Sequence, residues 1–157
     1  MLENKVAIVT GAASGIGKDI ATVFAREGAR VVIADLNQKG ADTVALELGG
    51  PKRAMGVGVD VTNETHTEAC VAKTIGTFGR LDILVSNAGI QIVAPIDQFE
   101  FAKWKQLLSI HLDGAFLFTR ACGWQLARDE RHNGWSTPSS CGESRVAPRG
   151  FVLMYTF

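Results

Sequence analysis

The chain has 157 residues, and lysine plus arginine balances aspartate plus glutamate at 16 each, so the formal net charge is zero. That length fits one domain with a real core, and a hydrophobic content of 46% argues for a globular chain over a disordered one. With no basic excess and no charge block, the sequence lacks the electrostatic footprint of a nucleic-acid binder or a charged tail.

Val6 to Val9 is a compact apolar run before a glycine-rich turn, as expected of a strand buried on both faces. Ile16 to Glu27 has apolar residues at Ile20, Val23 and Phe24, and Gly28 follows as a helix stop. Val31 to Ala34 reads as a second buried strand, and Gln38 to Leu48 as a helix closed by Gly49 and Gly50. Ala54 to Val59 is a weaker third strand. Thr62 can cap a helix that runs through Phe78, with Val71, Ile75 and Phe78 on one side. Leu81 to Val85 is a fourth strand, and Ala102 to about Ala121 a long helix. Four alternations of strand and helix predict an α/β domain with a doubly wound parallel sheet, Rossmann-like, in strand order 3-2-1-4.

After Ala121 the period fails. The segment rich in Arg, Ser, Gly and Pro through Gly150 has no sustained pattern, so the expected organisation is an incomplete dinucleotide-binding domain at 1–121 and an irregular tail at 122–157. Phe151 to Phe157 is short, apolar and β-prone, a candidate fifth strand on the edge the fourth would otherwise expose.

The turn T-G-A-A-S-G-I-G, Thr10 to Gly17, lies between the first strand and the first helix. Gly11 permits a tight turn, Gly15 lets a phosphate approach the backbone, and Gly17 lets the helix pack closely. The helix N-terminus then offers N–H groups and a positive dipole end to a diphosphate. Asp35 ends the second strand, where its carboxylate can accept from ribose hydroxyls and repel a 2′-phosphate, which favours NAD. A simple turn aspartate is the alternative.

With V-D-V-T at Val59 to Thr62 and S-N-A-G at Ser86 to Gly89, the sequence resembles the short-chain dehydrogenase/reductase family over residues 3 to about 121. The resemblance implies an NAD site built from Gly11, Ser14, Gly15, Ile16 and Gly17, from Asp35, Asp60 and Val61, and from Asn87, Ala88 and Gly89. N-A-G-I-Q-I-V-A-P-I and W-K-Q-L-L-S-I-H-L-D-G-A-F-L-F-T-R-A are similar to the 3-hydroxybutyrate dehydrogenase branch, which implies that Gln91 holds a substrate carboxylate. His111 stands where most of the family carries a catalytic asparagine. Its helical spacing with Trp104, Leu107, Leu108, Leu112 and Ala115 places it on an apolar stripe, so a buried structural histidine is an equal reading.

The family also uses a serine, a tyrosine and a lysine four residues after the tyrosine, so that one helical turn sets the ammonium beside the phenol and lowers its pKa. Here Tyr155 is the only tyrosine; Thr156 and Phe157 alone follow it, and no lysine occurs after Lys105. Ser136, Ser139, Ser140 and Ser144 have nothing to set them opposite a substrate. The expectation is a family chain without turnover, or a non-catalytic module that binds a nucleotide or another subunit through the long helix and the sheet edge. A shifted reading frame, an alternative splice and a true pseudoenzyme would each account for the tail.

No apolar run approaches the roughly 18 residues of a membrane span, and the opening M-L-E-N-K-V-A-I-V-T reads as a strand start rather than a signal peptide. Cys70, Cys122 and Cys141 are odd in number and widely spaced, which argues against a disulfide framework or a zinc site. A cytoplasmic protein with reduced thiols and no metal is expected.

Overall fold

In the computed structural model residues 1–132 and 151–154 are described. Strands β1 (Val6–Thr10), β2 (Arg30–Asp35), β3 (Ala54–Gly58) and β4 (Ile83–Ser86) pair in parallel in the expected order β3-β2-β1-β4. Every residue of β1 is buried, as its unbroken apolar run requires of a strand covered on both faces.

The expected exposed edge at β4 is not found. β5 (Phe151–Met154) pairs with it in parallel, from Ile83↔Phe151 to Ser86↔Met154. F-V-L-M is apolar and β-prone, and β4 offered an unpaired row of backbone groups. Tyr155, Cys141 and the four tail serines lie outside the described residues.

Successive residues of each strand point to opposite faces, so the sheet builds two cores. Ala7, Val9, Val31, Ile33 and Val85 pack with Ala21 and Ala25 of α1 (Gly15–Arg26) and Ala41 and Val44 of α2 (Gln38–Glu47). Val6, Ile8, Val32 and Leu84 pack on the other face with Cys70, Val71 and Phe78 of α3 (Glu64–Phe78) and with Phe118 and Cys122. Small alanines on α1 and α2 let those helices sit close to the sheet. Phe118 is fully buried, which contributes about 1.5–3 kcal/mol.

The start of α3 departs from expectation by one residue. Asn63, not Thr62, is the cap: its Oδ1 accepts from the His66 N–H at 3.1 Å. The single helix expected over 102–121 is three pieces. α4 (Phe101–Leu108) leads into a π turn (Ser109–Asp113) and then α5 (Gly114–His132). α5 passes the boundary expected at residue 121 because Gln125, Leu126, Ala127 and Arg128 are good helix formers.

The wider π turn breaks the α-helical phase, and the expected stripe does not become a buried face. Ala115, Phe118 and Cys122 are buried, whereas Trp104, Leu112 and Phe116 are exposed and α4 has no buried residue.

At the opposite end of the sheet from the turn, Asp82 joins β1 to β4. Its carboxylate accepts from the Val6 N–H at 3.0 Å and from Lys5 Nζ at 3.3 Å, and it is bidentate with Arg80, with Nε at 2.8 Å. Burial pushes the carboxyl pKa up, but the Arg80 and Val6 hydrogen bonds and the two cations outweigh that and hold it below the usual range.

Candidate functional site

Because the strands are parallel, Thr10, Asp35, Gly58 and Ser86 all end at one edge of the sheet. β1 lies at the point where the chain winds to either side, β2 and β3 one way and β4 the other, which leaves a crevice above the strand ends.

Thr10 organises that crevice, a role the sequence reading missed. Its Oγ1 accepts from the N–H groups of Asn87 and Ala88, both at 2.9 Å, and donates to the Val85 carbonyl at 3.4 Å. The Asn87 amide returns the contact, with Nδ2 donating to the carbonyls of Thr10 at 2.9 Å and Gly11 at 3.3 Å. The end of β4 is thus stitched to the start of the glycine-rich turn.

The three glycines of the turn do different work. Gly11 has φ +65°, where a side chain is strained. Gly17 sits so close that a Cβ would lie 2.3 Å from the Gly11 carbonyl oxygen and 2.6 Å from Asn87 Nδ2. Gly15 has φ +55° and nothing within 4 Å of its Cβ position, so the space beside it is open. Ser14 is the N-cap residue of α1 and makes no side-chain cap bond, and Gly15 and Ile16 are exposed in the first turn.

Asp35 bridges β2 to the same turn. Its Oδ2 accepts from the Ala13 N–H and its Oδ1 from the Asn37 N–H, each at 2.9 Å. The turn-aspartate reading is therefore correct in part, and each oxygen keeps acceptor capacity for a further donor. Beyond β3, Asp60 Oδ1 accepts from both the N–H and the hydroxyl of Thr62, at 2.9 and 2.7 Å. The Thr62 hydroxyl bond, then the Thr62 N–H, lower the Asp60 pKa against a small effect of burial, with His66 adding to the lowering. Val61 packs against Gly114, where a Cβ would lie 2.8 Å from Val61 Cγ2. Thr62 was legible only as a cap.

Gln91 and His111, far apart in sequence, line one cleft of about 370 Å³ with Ile90, Ile92, Leu107, Leu108 and Leu112. His111 sits in the π turn and is half-buried. Its Nε2 lies 3.1 Å from the Ile90 N–H nitrogen and 2.9 Å from the Ile90 carbonyl oxygen. The ring rests on Gly89, where a Cβ would come within 2.5 Å of Cε1. Among the described residues no three His, Cys, Asp or Glu gather as metal ligands, and no helix is long and apolar enough to cross a membrane.

The family model described as short chain dehydrogenase matches residues 5–135. The chain belongs to the short-chain dehydrogenase family. It is 43% identical over 123 residues to D-threitol dehydrogenase of Mycolicibacterium smegmatis, covering 78% of this chain and 47% of that protein. Sorbitol dehydrogenase of Cereibacter sphaeroides is 38% identical over 120 residues, covering 76% and 46%. Borneol dehydrogenase of Lavandula x intermedia is 42% identical over 122 residues, covering 76% and 45%. The chain thus spans about half the length of these curated relatives. Among solved structures, 3-ketoacyl-(acyl-carrier-protein) reductase from Brucella melitensis complexed with NADH superposes with a TM-score of 0.79 and 35% identity, over 85% of this chain and 55% of that one.

The described residues fit a dinucleotide. The turn leaves room at Gly15, where α1 begins, and Asp35 stands one strand away with acceptor capacity left.

Proposed function

We propose that the chain is the NAD-binding half of a short-chain dehydrogenase acting on a secondary alcohol. The observation that carries this is the turn from Thr10 to Gly17, open at Gly15 and tied to both Asp35 and Asn87. Gly11, Ser14, Gly15, Ile16 and Gly17 hold the diphosphate, and Asp35 receives the ribose hydroxyls. Asp60 and Val61 flank the adenine, and Asn87, Ala88 and Gly89 support the nicotinamide side. When bound, NAD supplies the ring that accepts a hydride.

The substrate class is a small hydroxy acid such as 3-hydroxybutyrate. Gln91 offers an amide N–H₂ to its carboxylate, and the cleft shared with His111 is otherwise apolar. The relatives are dehydrogenases named for D-threitol, sorbitol and borneol, and a secondary alcohol is the element this reading takes from them. The proton of that alcohol has no acceptor among the assigned residues. Residues 1–132 contain no tyrosine, and His111 Nε2 is engaged by Ile90. The 157-residue chain is therefore expected to bind NAD without turnover.

A second reading is a non-catalytic module that associates through its long helix. The exposed side chains of Phe101, Trp104, Leu112 and Phe116 favour it, as that much apolar surface on one stretch marks an interaction face. NAD titration beside sedimentation separates the readings: saturable NAD binding favours the first, and self-association without NAD binding the second. NADH formation from D-3-hydroxybutyrate and a panel of secondary alcohols is assayed with Tyr155→Phe in parallel. No turnover is expected, and robust turnover abolished by Tyr155→Phe would overturn the proposal.

A further inference from the structure

One nitrogen cannot serve two masters at once. His111 Nε2 lies within hydrogen-bond reach of both main-chain groups of Ile90, the N–H at 3.1 Å and the carbonyl oxygen at 2.9 Å. With its lone pair, Nε2 accepts from the N–H, which belongs to the Gly89–Ile90 peptide. With a proton, it donates to the carbonyl, which belongs to the Ile90–Gln91 peptide. A neutral ring has either option, according to tautomer. An imidazolium has only the second.

We propose that His111 is a positioning residue for Gln91, whose Nε2 selects between the two peptides flanking Ile90, and that protonation of the ring commits it to the Ile90–Gln91 peptide. Three features hold the ring to this choice. The π turn carries it. Gly89 gives it a floor that any Cβ would obstruct, at 2.5 Å from Cε1 and 3.1 Å from Nε2. The side chains sharing its cleft, from the loop at Ile90, Gln91 and Ile92 and from the helix at Leu107, Leu108 and Leu112, carry no charge and no titratable group. Among the described lining residues the only side-chain acceptor that could compete with the Ile90 carbonyl for the ring's proton is the Gln91 carboxamide, which is neutral. The consequence for substrate rests on the reading of Gln91 proposed above; the clamp itself does not.

The test is an NMR titration of the 157-residue chain, reading the His111 ring with the Ile90 and Gln91 backbone amides across the range where histidines change charge, about pH 5 to 8. On acidification the Ile90 amide proton should shift upfield as it loses its acceptor, and the Gln91 nitrogen should shift as the carbonyl before it gains a donor. Both should follow the midpoint of the ring. In His111→Asn the side-chain amide supplies an acceptor and a donor together, so both signals should stay flat. A wild-type ring that titrates without moving Ile90 and Gln91, a ring that holds one state across the range, or an equal response in His111→Asn would each overturn the proposal. The wild-type titration decides the matter even where the variant does not fold. Acetoacetate added at the acidic end separates the two readings: if the Gln91 side chain is unmoved while the clamp titrates, the substrate reading fails and the clamp stands.

Discussion

The crevice from Thr10 to Asn87 and the stretch from Ile90 to Phe116 meet at Gly89, yet they are finished to different degrees. In the first, Thr10, Asn87, Asp35 and Asp60 all hold backbone partners, and Gly17 packs to contact on the turn. In the second, Val93, Ile96, Phe101, Trp104, Leu112 and Phe116 stand largely in solvent. A dinucleotide cradle closes on itself within the first four strands. The cleft that Gln91 and His111 line is built, among the described residues, from one loop and one helical stretch.

Breaking that comparison begins with two phenylalanines on one helix. Phe118→Ala should lose about 3–5 kcal/mol, because a fully buried ring leaves a cavity. Phe116→Ala, at 60% exposure, should change stability by no more than about 0.5 kcal/mol. Denaturant midpoints of the two variants check this, and equal losses would show that the face around Phe116 is covered in solution.

Gly17→Ala sharpens the closed side. Its new methyl meets the Gly11 carbonyl and the Asn87 amide, so a loss of about 1–3 kcal/mol is expected together with loss of NAD binding. Gly123→Ala, where nothing lies within 4 Å, is the control and should be neutral or slightly stabilising. Thr10→Val keeps the shape but removes the acceptor of two N–H groups, and should cost about 1–3 kcal/mol by thermal or denaturant unfolding.

The far end of the sheet gives a pH test. The Asp82 pKa is depressed in the folded chain, so its stabilisation is present above the unfolded value of about 3.9 and is lost as pH falls through the folded value. Stability should therefore decline below about pH 4, and the decline should be shallower in Asp82→Asn, which also lowers stability at neutral pH. Unfolding curves at several pH values read both effects. At the α3 cap, Asn63→Ala should cost about 1 kcal/mol, read from the same unfolding curves.

Much of the closed side was legible because its signals are local. Apolar runs of four or five residues marked the buried strands, and the spacing of Gly11, Gly15 and Gly17 marked a turn whose geometry demands those glycines. Asp35 was placed correctly at the strand end, but its bond to Ala13 ties β2 to the glycine-rich turn across 22 residues and has no sequence signature. Thr10 was hidden for the same reason, since its partners are more than 70 residues away. The open side was misread where periodicity was taken for burial. A stripe at helical spacing says which residues share a face, and says nothing of what covers it. The π turn also breaks the period without any Gly or Pro inside it to announce the break. β5 was foreseen as a candidate because an apolar segment and an unpaired edge were both visible in the sequence.

The central claim is that the cofactor side is complete without the substrate side. Calorimetric titration of the 157-residue chain with NAD and NADP, on wild type and Asp35→Ala, tests it most directly. Saturable NAD binding that exceeds NADP binding in the wild type, with the preference lost in Asp35→Ala, is the predicted result. A wild-type chain that is folded yet binds neither dinucleotide, or binds both equally, would contradict it.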